Sequence, residues 1–229
     1  MKIEKAAGRA TIHAPNEEEL AQINRFALEP LSAEQVFTFS VNACDDQIDR
    51  DFEQFTPQAL DGLAKLFVGK PMLFDHAWSA HYQTARVYRA EVVEDGAVRR
   101  LRLDLYMLAN PDTEGIRQAI LGGILREVSV GCAMAKATCS ICGNSYYECG
   151  HSRGKRYAGK QCTVLLEDPV DAYELSFVAV PAQKEAGVVK CASAHLLPDD
   201  DEAAENDNRA KALERARARL ELCKKKINI

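Results

Sequence analysis

The sequence predicts an α+β fold, mainly antiparallel β, arranged as a compact β-barrel flanked by helices. Three observations carry that expectation. Several segments alternate apolar and polar residues at period two, two segments show helical spacing behind a capping residue and a proline, and Gly, Pro, Asn and Asp mark the joins. With 229 residues, 47% hydrophobic and 28% charged, the chain can bury one sizeable core and carry an appendage, and it is too apolar for a disordered one.

The elements follow in order. Residues 35–42 have the aromatic and β-branched content of a strand, and an acidic loop over 45–51 comes next. Thr56 before Pro57 is an N-cap with proline at the first helical position; Leu60, Leu63 and Phe67 keep helical spacing, and Gly69 and Pro71 end the helix. The apolar run 71–74 leads into Asp75 and His76, which places the histidine at a strand end. Residues 86–93 and 101–108 form a hairpin around Glu94, Asp95 and Gly96, with Leu101, Leu103, Leu105 and Met107 on one face. Asn110 and Pro111 open a second helix that Gly122 and Gly123 close. Over 127–134, Val128, Val130, Cys132 and Met134 share one strand face while Ser129 and Gly131 share the other. Residues 172–180 are the most strand-like segment, with Tyr173, Leu175 and Phe177 opposite Glu174 and Ser176, and Pro181 terminating it.

This organisation divides the chain into an N-terminal arm (1–34), a main domain (35–190) containing a Cys/His-rich insertion (136–163), and a tail (191–229). The tail pairs an acidic linker, six acidic residues over 199–207, with a basic amphipathic helix striped by Leu213, Ala216, Leu220, Cys223 and Ile227. It is either a solvated terminal helix or a docking tail.

Charge and composition narrow the function classes. A net charge of -5 gives no reason to expect nucleic acid as the main partner. No run approaches the roughly 18 apolar residues of a membrane-spanning helix, and the start of the chain lacks the apolar core of a signal peptide, so the expected compartment is intracellular. Eight cysteines in that setting imply reduced thiols, and their clustering implies metal rather than a disulfide framework.

Two constellations carry chemistry. A hydroxyl needs a base within reach, and the base needs a third group to orient it; Ser129, His76 and Glu174, on separate strands, can supply these roles. His81 competes with His76, and Asp171 with Glu174. The second constellation is Cys139 and Cys142, two residues apart before Gly143, followed by Cys149, His151 and Cys162. Five ligands are on offer for four tetrahedral places, and Cys149 and His151 stand as alternatives. Four protein ligands leave no open position for water, so the expected role is structural zinc, folding a loop-rich insertion with no core of its own.

The order Phe74-Asp75-His76, then Glu127-Val128-Ser129-Val130-Gly131, then Tyr173 through Ala182 (Tyr-Glu-Leu-Ser-Phe-Val-Ala-Val-Pro-Ala) resembles the prohead, or head maturation, serine proteases of tailed bacteriophages, a family similar in fold to the herpesvirus assemblins. The resemblance covers roughly residues 37–189. It implies a serine endopeptidase with Ser129 as nucleophile, His76 as base and Glu174 as third member, where assemblins use a second histidine. It further implies capsid and scaffold proteins as substrates, no catalytic cofactor, no nucleic-acid or membrane partner, and a location inside the assembling prohead in the host cytoplasm. Similar Cys/His insertions occur in some of these proteases. Self-association stays open. The alternatives are a zinc-stapled capsid or scaffold assembly protein without activity, and a metallohydrolase using His76, His81 and a cysteine.

Overall fold

The computed structural model describes residues 14–189. The acidic linker and helical tail expected over 191–229 lie outside the described residues. The first element, α1 (Glu17–Ile23), falls in the segment expected to be an arm. Asn16 and Glu19 cap it reciprocally, each side chain accepting the other's backbone N–H. Ile23 is fully buried beside Val36, Tyr88 and Tyr106, so this helix packs against the sheet.

The remaining elements are β1 (Val36–Asp45), β2 (Glu53–Phe55), α2 (Pro57–Phe67), β3 (Pro71–Phe74), β4 (Ala85–Asp95), β5 (Val98–Leu108), α3 (Glu114–Leu121), β6 (Val128–Cys139), β7 (Arg156–Tyr157), β8 (Lys160–Gln161), β9 (Val164–Phe177) and β10 (Gly187–Val188). Local chemistry accounts for the helices. Thr56 Oγ1 accepts the Ala59 N–H at 3.3 Å, and Leu60, Leu63 and Phe67 are fully buried along one stripe of α2. Asn110 caps a 3-10 turn over Pro111–Thr113, and α3 starts only after it.

Among the described residues, eight strands form one sheet in the order β10-β1-β5-β4-β3-β9-β2, with β6 also on β9. The sheet is mixed rather than wholly antiparallel, because β2 and β3 both run parallel to β9. β9 is the hub. At Val164 it pairs with Glu53 of β2 and Cys139 of β6, and at Phe177 with Phe74 of β3 and Val128 of β6, so β2 and β3 share one flank and β6 takes the other. The core lies between this curved sheet and α2, with Phe39, Val41, Leu103, Leu105, Met72 and Leu175 almost inaccessible.

The sheet is not the closed barrel that the sequence predicted. β10 meets only the residues just before β6, at one bridge from Gly187 to Glu127 backed by the Val188 N–H donating to the Arg126 carbonyl at 2.8 Å. β10 is two residues long, too short to run a ladder along the twelve of β6, and closure needs continuous pairing. The strand expected over 172–180 is displaced too. β9 begins at Val164 and ends at Phe177, with Val178 adding one last in-register bond to the Glu127 carbonyl at 3.1 Å. Within it, the β6–β9 register shifts between Gly131 and Cys132, leaving Tyr173 without a partner. Tyr173 therefore leaves the core side and becomes 40% exposed, while Ala172 is buried in its place. Finally, Lys136 to Cys139 continue the β6 ladder opposite Glu167 to Val164, so the insertion is the loop after Cys139.

Candidate active site and metal centre

The turn after β3 brings the histidine onto the sheet. Asp75 and His76 both adopt left-handed backbone, with φ of 50° and 53°, an arrangement that costs non-glycine residues about 1 kcal/mol or more each. Contacts hold them there. Asp75 N–H donates to the Phe177 carbonyl at 2.9 Å, and His76 N–H donates to Ser176 Oγ at 3.1 Å. Trp78 rests on Tyr173 with ring centroids 5.3 Å apart, which ties the same turn to β9.

His76 Nδ1 lies 2.8 Å from Glu174 Oε1. The carboxylate side chain is 3% exposed and the imidazole 40%, so one end of the pair is dry and the other faces solvent. Ser176 Oγ donates to the second oxygen, Glu174 Oε2, at 2.5 Å. Both carboxylate oxygens are thus engaged, as a buried carboxylate requires. Asp171, the alternative third member, instead pairs with Lys70 at 3.1 Å. His81 sits in an exposed 3-10 turn, Ala80–Tyr82, away from this network.

Register places Ser129 on the same face. Ser129 is directly opposite Ser176, and Gly131 is directly opposite Glu174, and side chains of opposed residues share a face. A Cβ on Gly131 would overlap Glu174 Oε1, so only glycine lets the carboxylate lie across β6. His76 and Glu174 are hydrogen-bonded to each other; Ser129 is not bonded to either and adjoins them through Ser176. Cys132, three residues beyond Ser129, is no rival nucleophile. Burial, with Glu53 and Glu174 adding, pushes its thiol up to about 11.

In the insertion, Cys139, Cys142, Cys149 and His151 bring one ligand atom each within 4.8 Å of one another, and this cluster can hold a metal ion. Cys149 and His151, expected to be alternatives, both belong to it. Cys162, the fifth expected ligand, is buried with its sulfur 3.8 Å from that of Cys139. The donor set suits a soft cation. Burial raises the Cys139 thiol, but the amides of Cys142 and Ile141 and the side chains of Cys149 and Cys142 outweigh it and hold the thiol down at about 6. His151 Nδ1 is buried without a hydrogen-bond partner, its ring standing edge-on to Tyr157 at 4.5 Å. Neither His76 nor His81 belongs to a metal-ligating group among the described residues.

A cavity of about 310 Å³ opens beside Ser129, lined in part by Asp49, Asp51, Glu53, Tyr147 and Gln183. These residues, with Ser176 and the role of Gly131, were not singled out as functional from the sequence. Ser176 alone had a usable signal, since strand alternation puts it on the Glu174 face. No family model, curated protein or solved structure matches the chain.

Proposed function

We propose that the protein is a serine endopeptidase in which Ser129 attacks a peptide carbonyl, His76 moves the proton and Glu174 orients the ring. The observation that carries this reading is the 2.8 Å contact between His76 Nδ1 and the buried Glu174 on the face that Ser129 shares. A carboxylate at Nδ1 selects the tautomer with hydrogen there, leaving Nε2 as the base and stabilising the imidazolium that forms. The solvent-facing part of the imidazole is where a nucleophile and a leaving group have access. Ser129 and His76 close to hydrogen-bond distance when a peptide is bound, since catalytic contacts in empty sites are often long. His76 returns its proton to the leaving amine, and water then repeats the attack on the acyl-enzyme.

By resemblance to the phage prohead proteases, the substrates are capsid and scaffold proteins in an assembling prohead. The ion in the insertion is zinc in a structural role, since three thiolates and an imidazole fill a tetrahedral site and leave no open position for water.

The deciding experiment is labelling and proteolysis together. The wild-type chain should react with a fluorophosphonate at Ser129, identified by peptide mass, and should process the capsid protein with which it is co-expressed. Ser129→Ala should do neither while keeping its thermal midpoint. Processing that survives this substitution removes the catalytic assignment and leaves the assembly-protein alternative.

A further inference from the structure

The cavity beside Ser129 has a definite chemical character. Ala43, Phe55, Val130 and Met134 contribute apolar wall, and Asp49, Asp51 and Glu53 contribute carboxylates. Glu53 forms an ion pair with Arg153, whose charge also acts on Asp49, but three carboxylates share this one guanidinium, so the cavity carries excess negative charge. Burial raises the pKa of both Asp49 and Glu53 and outweighs the opposing charge of Arg153. A second feature is independent of these acids. Gln183 lines the same cavity, is only 7% exposed, and its Nε2 has no hydrogen-bond partner. A buried donor left unmade is costly, and an incoming carbonyl would satisfy it.

Apolar walls ending in carboxylates fit a long aliphatic stem with a cationic head, the shape of lysine and arginine. The unpaired Gln183 amide fits the peptide carbonyl that would enter with such a side chain. The flank of β6 not used by β9 has strand bridges only at Glu127 and Thr138 among the described residues, which leaves backbone groups between them for a bound peptide. We infer that this cavity receives a lysine or arginine side chain of the peptide being cut, so that cleavage is directed to sites beside basic residues. The inference rests on the endopeptidase reading for the identity of its ligand; the cation-binding cavity itself is testable without catalysis.

The binding arm uses full-length, metal-replete Ser129→Ala titrated with n-butylguanidine and with its uncharged counterpart n-butylurea, followed by NMR. The guanidine should bind saturably, the urea about tenfold more weakly, and Asp51→Asn should weaken the guanidine by about tenfold, the size of one charge-assisted contact. Equal binding of the two, or no saturable binding of the guanidine, overturns the inference. The cleavage arm digests denatured casein and maps the cuts by mass spectrometry. Ser129-dependent cuts should concentrate beside lysine and arginine; Ser129-dependent cuts with no such preference overturn the inference while the endopeptidase reading stands. Failure of the endopeptidase reading looks different: no cuts, or cuts that persist in Ser129→Ala, while butylguanidine still binds. The cavity is then a cation site without a peptide substrate, and the inference falls with that reading.

Discussion

At the scale of single residues, Ser176 does more than its neighbours in sequence suggest. Its hydroxyl donates to Glu174 and accepts from the backbone of His76, so it holds both members of the pair. Ser176→Ala should lower kcat about ten- to a hundredfold with little change in KM, because a hydrogen bond to a charged group contributes about 1.5–3 kcal/mol. An equal fall in kcat and rise in KM would instead indicate general loosening. Glu174→Gln retains the shape but holds the wrong tautomer, and should cost roughly three to four orders of magnitude in kcat. Asp49 makes a pH prediction. Its Oδ1 accepts the amides of Asp51 and Glu53, each at 2.8 Å, while burial lifts its pKa. The folded state therefore binds this proton more tightly than the unfolded one, so the group supports stability at low pH and loses that support as pH rises through its raised pKa. Asp49→Asn keeps the acceptor and removes the charge. It should melt higher than wild type at pH 7, with the difference vanishing as pH falls below the ordinary aspartate value of about 3.8; a pH-independent difference would contradict this account.

At the scale of elements, the insertion after Cys139 has a Cys/His cluster that can hold a metal ion and an ion pair to β2 in place of a core. β7 and β8 pair over two residues each, and Arg153 and Tyr147 reach toward the acidic wall of the cavity, Arg153 through its ion pair with Glu53. Chelation should abolish hydrogen-exchange protection in residues 139–162 while the β4–β5 hairpin stays protected, and elemental analysis should find one metal per chain. Loss of protection throughout the sheet would make the metal a determinant of the whole fold. The sequence was legible here in part. Two cysteines separated by two residues announce a metal knuckle, but choosing among Cys149, His151 and Cys162 requires knowing where the loop returns.

At the scale of the molecule, the bridge from Gly187 of β10 to Glu127 borders the serine strand two residues before Ser129. A Cβ on Gly187 would come within 2.9 Å of the Arg126 carbonyl, so the bridge depends on that glycine. Gly187→Ala should destabilise by about 1–3 kcal/mol, read by urea unfolding, and should reduce activity more than β-sheet content. Unchanged activity would show that the bridge does not position the serine strand.

The elements and their faces were legible in the sequence: the capped α2, the β4–β5 hairpin, the polar face of Ser129 and the Cys139–Cys142 pair of the cluster that can hold a metal ion. Those follow from local rules of periodicity, capping and ligand spacing, which act over a few residues. Tertiary structure alone decided that the sheet stays open, that Tyr173 leaves the core side, that Glu174 rather than Asp171 meets His76, and that Gly131 makes room for it. Each depends on pairing between residues far apart in the chain, such as the 98 positions between His76 and Glu174, and no local pattern records which strand lies beside which.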